Sequence, residues 1–166
     1  VINKSEVREF LRTFLIESQA TYEESGIDTF IVSLPGSKKR SITCALSLGD
    51  YSLVINSFVM RAPDENSVAV YKYLLEQNAG MYGVHFALNS LGDIFLAGRI
   101  QLGAVDATEI DRILGCVLEY TERHFDQLLE LGFADAIRRE WAWRIDRGES
   151  LENLEAFKHL IDKERD

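Results

Sequence analysis

Residues 41–60 leave a chain of this kind few options. Ile42, Cys44, Leu46 and Leu48 alternate with Ser41, Thr43, Ala45 and Ser47, Gly49-Asp50 interrupts, and Tyr51 opens a second run that ends at Met60. Period-two alternation marks a half-buried strand, and Gly-Asp between two such runs marks a tight hairpin. Strands joined that way are antiparallel. The second run is apolar on both faces, with Leu53, Ile55 and Val59 on one and Val54, Phe58 and Met60 on the other. Burial on both faces points to a central strand or to a strand that meets a second chain. Val54, Phe58 and Met60 are therefore candidate partner-binding residues.

The flanking segments complete the pattern. Asn3 and Glu6 have capping-box spacing, and Val7, Phe10, Leu11, Phe14 and Leu15 follow at helical intervals. That first helix is expected to end within residues 22–26. Phe30, Val32 and Leu34 alternate up to Pro35-Gly36, a turn signal. Pro63-Asp64 is expected to open a second helix through Val68, Tyr71, Leu74 and Leu75, closed by Gly80. Val84, Phe86 and Leu88 then alternate, and residues 94–100 return as the second arm of another hairpin. Asp106 and Glu109 form another capping-box pair, with Val105 and Ile110 as staple, before a helix predicted to run to Leu131 and stop at Gly132. At 1.5 Å per residue it would span roughly 39 Å, so its apolar stripe needs cover along its whole length.

After Gly132, Phe133, Ile137, Trp141 and Ile145 share a helical face, and Gly148 breaks the run. Ser150 is placed to cap a last helix with Leu151, Leu154, Phe157 and Ile161 inward. Trp141 and Trp143, two positions apart, point to nearly opposite sides of a helix, so one of them is exposed or covered by a further element. Trp143 joins the candidate partner-binding residues. The expected fold is α+β: a twisted, mainly antiparallel five-stranded sheet in the order helix, three strands, helix, two strands, helix. Residues 1–132 form the domain, and residues 133–166 form a helical hairpin extension packed on it or on a dimer mate.

Charge narrows the partners. The 166 residues carry a net charge of −9, which repels phosphate backbones and anionic lipids, so neither nucleic acid nor a membrane is expected as partner. No apolar run approaches the ~20 residues of a membrane-spanning helix. Cys44 and Cys116 show no framework spacing, which suits a reducing cytoplasm.

Chemistry-bearing candidates are weak. His85, His124 and His159 lack HExxH or ExxH spacing, so a structural role is expected and no metal. A Cys44–His85 nucleophile pair is conceivable across neighbouring strands, but Cys44 falls on the apolar side of its strand, where a thiolate is disfavoured. Pro35-Gly36-Ser37-Lys38-Lys39-Arg40 either holds a phosphate or is a solvated hairpin loop, the latter being favoured. Arg138, Arg139, Arg144 and Arg147 around the tryptophans either stack on bases or grip an acidic peptide, or pair with Glu149, Glu152, Glu155 and Asp162 of the next segment; pairing is favoured. No phosphate loop, dinucleotide fingerprint or nucleophile elbow is present, so no catalytic residue and no cofactor is expected.

The run Tyr71-Lys72-Tyr73-Leu74-Leu75-Glu76-Gln77-Asn78, followed by Val84-His85-Phe86-Ala87-Leu88 and Gly92-Asp93-Ile94-Phe95-Leu96, resembles the YbjN family, described as bacterial sensory transduction regulators. The resemblance extends from about Ser5 to Leu131 and carries no catalytic motif. It implies the fold of type III secretion chaperones, a small acidic homodimer and binding of other polypeptides. The resulting expectation is a non-catalytic, chaperone-like or regulatory module of the cytoplasm whose partners are itself and an unidentified protein or peptide. The alternatives are an enzyme with a site assembled from scattered polar residues and a structural subunit of a larger assembly.

Overall fold

The structure is a computed structural model that describes residues 3–39 and 41–162. Val1, Ile2, Arg40 of the basic loop and residues 163–166 of the extension lie outside the described residues. In chain order the elements are α1 (Lys4–Glu17), β1 (Thr21–Ser25), β2 (Thr29–Leu34), β3 (Ile42–Leu48), β4 (Ser52–Met60), α2 (Ser67–Asn78), β5 (Val84–Leu88), β6 (Ile94–Gln101), α3 (Ala107–Arg147) and α4 (Lys158–Asp162). Short 3-10 turns, Leu102–Ala104 and Glu152–Phe157, precede α3 and α4.

The sheet is antiparallel throughout, but it has six strands in the order β1-β2-β3-β4-β6-β5, not five. The added strand is β1. The first helix stops at Glu17, where the Ser18 hydroxyl binds the Phe14 carbonyl (2.7 Å) and Gln19 turns into the left-handed region (φ 55°). Thr21–Ser25 then pairs along β2. Only Tyr22 of β1 packs on the core, so its apolar alternation is almost nil. Ion pairs with α1 replace it: Arg12 donates to Glu24 at 2.8 Å, and Lys4 reaches Asp28 of the β1–β2 turn at 2.6 Å.

Alternate residues of β2, β3, β4, β6 and β5 point into one core shared with Val7, Leu11 and Leu15 of α1, Val70 and Leu74 of α2, and Ile110 to Leu128 of α3. The helices therefore lie on one side of the sheet, and among the described residues no helix covers the other. Both predicted N-cap residues do cap their helices, the first as a full capping box. The Asn3 side-chain Oδ1 accepts from Glu6 N (3.0 Å) while the Glu6 carboxylate accepts from Asn3 N (3.1 Å). Asp106 accepts from Glu109 N (2.8 Å), yet the Glu109 carboxylate is taken by the Tyr82 hydroxyl (3.0 Å), so that box is half formed.

The long helix is longer than expected and broken. Gly132 does not end it. Phe133 leaves helical geometry (φ −142°, ψ 23°), and the helix resumes to Gly148, which caps it in the left-handed region (φ 66°). The backbone groups freed by the break are met by the β4–α2 loop. The Gly132 carbonyl accepts from Asp64 N (3.0 Å) and Glu65 N (3.2 Å), the Leu131 carbonyl from Asn66 Nδ2 (3.2 Å), and Glu65 accepts from Asp135 N (2.8 Å). Pro63-Asp64 consequently belongs to this loop, and α2 begins only at Ser67. Beyond Gly148 the chain folds back, and Phe157 and Leu160 pack on Ala134 and Ile137 as a small second core. Leu151, Leu154 and Ile161 are half-buried, and Ile145 is exposed.

Candidate protein-binding surfaces

Among the described residues, three apolar regions bear on the expected binding surfaces. The first is the helix-free side of the sheet. Val54 and Phe58 lie on it, with Phe95 packed edge-on against Phe58 at 5.4 Å between ring centres. Lys39 crosses Phe58, its ammonium 4.9 Å from the ring centre, and donates to the Phe58 carbonyl. Met60 is not part of this surface. The register between β4 and β6 slips after Phe58, which faces Phe95, so that Met60 faces Ile94 and enters the core. One inserted residue reverses the facing of everything beyond it, and this bulge removes Met60 from the partner-binding set.

The second region is Trp143. Trp141 is 8% exposed and Trp143 45%, so the two do take opposite sides. Arg147 stacks over the Trp143 ring at 4.9 Å. Arg144 pairs within its own helix, with Glu140 at 2.7 Å, and donates to the Ser150 carbonyl at 2.9 Å. Arg138 likewise pairs with Asp135 at 2.9 Å. The two carboxylates lie one turn away on the same helix, and Arg138 also reaches the following segment, donating to the Leu160 carbonyl at 3.3 Å.

The third region was not anticipated. Of Val68, Tyr71, Leu74 and Leu75, the apolar residues predicted to run along α2, only Leu74 is buried, together with Val70. Val68 is 83% exposed and Leu75 71%, beside Leu88 of β5 (43%) and Leu91 of the β5–β6 turn (76%). Tyr71, Leu75, Phe86 and Leu88 line an apolar hollow of about 260 Å³ here. Behind it, Asn78 satisfies both backbone groups of Phe86, donating to its carbonyl (3.0 Å) and accepting from its N–H (2.7 Å). The edge of β5 is thereby blocked at its centre against strand addition, and the side chains remain as the accessible feature. A signal existed in the sequence: residues 68–75 are apolar around more than one side of the helix, which requires cover on both.

The Cys44–His85 pair does not assemble. Cys44 faces the core on β3, while His85 is exposed on the opposite side of β5, with β4 and β6 between them. Burial pushes the Cys44 thiol up to about 12, far from a nucleophilic thiolate. His159 contacts Glu130 at 2.8 Å, and His124 bonds Tyr73 within the core. Among the described residues no group of three or more His, Cys, Asp or Glu could hold a metal ion.

The basic loop does hold an anion, and it is the chain's own. Ser37 N (3.1 Å), Lys38 N (3.1 Å) and the Ser37 hydroxyl all donate to the Glu122 carboxylate of α3. Burial alone would push this carboxyl up, but the hydrogen bonds from Ser37 and the loop amides outweigh it and leave it below the ordinary glutamate range. Lys38 adds an ion pair to Asp126 at 3.2 Å. Gly36 is required at this close approach, because a Cβ there would lie 2.9 Å from the Glu122 carboxylate and 2.7 Å from Ile42.

Comparison with known proteins adds the following. Residues 4–130 match the YbjN family, described as "Putative bacterial sensory transduction regulator". An uncharacterized protein of Mycobacterium leprae is 48% identical over 154 residues, spanning 90% of this chain and 84% of that protein. Among solved structures, the ExsC–ExsE complex superposes with a TM-score of 0.57 at 17% identity, over 75% of this chain and 95% of that one. The Yersinia pestis type III secretion chaperone SycH, in complex with a stable fragment of YscM2, gives 0.53 at 13% identity, over 69% of this chain and 96% of that one. Among the described residues no helix is long and apolar enough to cross a membrane.

Proposed function

The chain belongs to the YbjN family, and from that premise we propose that it is a non-catalytic, chaperone-like module of the cytoplasm that pairs with itself and binds another polypeptide. The observation that carries this reading is the uncovered face of α2 and the β5–β6 turn, where Val68, Leu75, Leu88 and Leu91 stand exposed in a chain of net charge −9. Acidic surroundings keep such a patch soluble, and burying it against its own copy removes apolar area from water on both chains at once. The helix-free sheet side with Val54 and Phe58, and the Trp143 helix, are then left for the second polypeptide. Support comes from the fold: ExsC and SycH share it and were solved in complexes with other proteins. The acidic charge opposes nucleic acid and membranes as partners.

Sedimentation equilibrium at micromolar concentration tests the pairing. The native chain should sediment at twice its 18.9 kDa. Leu75→Glu exchanges an apolar side chain for a charge at the interface and should raise the dimer Kd roughly 100-fold, since burying one leucine contributes about 1.5–3 kcal/mol. A native chain found only at 18.9 kDa would overturn the homodimer.

A further inference from the structure

We propose that His124 is an acid-operated lock holding α2 to the body of the protein, and hence a pH control on the patch that α2 carries; the second half rests on the pairing proposed above. His124 lies on α3, 6% exposed, with Nδ1 2.7 Å from the Tyr73 hydroxyl of α2. Its ring meets Tyr73 edge-on at 5.7 Å and Phe86 of β5 at 5.6 Å. One imidazole therefore touches both elements that form the exposed patch. In the neutral ring with its proton on Nε2, Nδ1 accepts from the Tyr73 hydroxyl. Once charged, both nitrogens are donors and the phenol proton needs another acceptor.

The surroundings offer the charge little compensation. From α2 the facing group is the Tyr73 phenol; its neighbours Lys72 and Glu76 are exposed and pair with each other at 3.8 Å. From β5 it is Phe86 alone. From α3 come Arg123, which is like-charged and paired with Glu119, and Tyr120, whose hydroxyl is taken by Tyr82 N at 2.8 Å. Thr121, a turn earlier, has a buried hydroxyl with no partner, and among the described residues no carboxylate bonds the ring. Burial, and then the Arg123 charge, hold the imidazole below its ordinary range. The helix it secures is lightly anchored, with two buried side chains and no side-chain N-cap at Asn66. A group whose pKa is depressed in the closed state stabilises that state above its ordinary value of about 6.5, and the contribution is lost as pH falls below that value.

Amide-exchange protection of Ser67–Asn78 reads the lock directly. Between about pH 7.5 and about pH 5.5 it should fall, by up to about tenfold, in the native chain while β3 stays protected, because each pH unit below the open-state value favours opening by up to tenfold. His124→Gln, which keeps an acceptor for Tyr73 but does not titrate, should show no fall; a chain lacking His85 and His159 should behave as native. Unchanged native protection, or an equal fall in His124→Gln, overturns the lock. If His124→Gln does not fold, an NMR titration of His124 decides, an ordinary or raised value overturning it. Sedimentation at both pH values separates the two claims: a dimer Kd that rises on acidification in the native chain alone supports both. A monomer at both values removes the pairing, and the exchange result still decides the lock.

Discussion

Glu122 shows how one side chain can settle what a loop is for. A glycine-containing basic loop after a strand has the composition of an anion site, and its amides do converge on an anion. That anion comes from 85 residues away, so the loop ties the β2–β3 connection to α3. Its carboxyl is held below the ordinary value, so its contribution is present above the unfolded pKa of about 4.3 and is lost as pH falls through the folded one. Glu122→Ala should cost about 1 kcal/mol at neutral pH, discounting for partial exposure. In calorimetric melts across a pH series, the gap between native and variant should close in acid. The opposed faces of Trp141 and Trp143 and the burial of Cys44 were legible because they depend only on local periodicity. The facing of Met60 was not, because a bulge is a property of two paired strands.

At the scale of elements, the break at Phe133 exists because a loop more than sixty residues earlier accepts and supplies the hydrogen bonds that the helix gives up. Gly132 is what permits the approach. A Cβ there would lie 2.9 Å from the Pro63 ring and 3.4 Å from Val70. Alanine improves helix propensity by up to about 1 kcal/mol, but overpacking a rigid ring costs roughly 1–3 kcal/mol. Gly132→Ala should therefore destabilise, seen as a lower urea midpoint at unchanged slope. Periodicity alone placed a helix on either side of Gly132 and could not show that the second continues the first. β1 was missed for the opposite reason. An edge strand held by backbone bonds and by Arg12–Glu24 needs no apolar alternation, so the sequence there reads as the frayed end of a helix.

On the scale of the whole molecule, the described part of the C-terminal segment is docked rather than trailing. Phe157 and Leu160 close a small core over Ala134 and Ile137, separate from the main one. Deleting residues 149–166 should uncover Ala134, Ile137 and Leu129. Each buried side chain lost removes about 1.5–3 kcal/mol before ordering entropy is subtracted, so the melting temperature should drop by roughly 5 °C, measurable by calorimetry; an unchanged melt would mean that the small core contributes nothing net. What the sequence determined by itself was whatever repeats along the chain: alternation in β2 to β6, helical stripes in α1 and α3, both N-terminal caps, and an antiparallel α+β fold with its core residues. Those signals are local, and they survive in any arrangement that buries the same faces. Tertiary structure alone decided which apolar residues remained outside. Val68 and Leu75 stand exposed because Val70 and Leu74 won the single contact line that α3 and β5 offer α2, and Met60 went inside because β6 imposed the register of β4. A surface is what remains after every element has chosen a partner, and no window of sequence contains that choice.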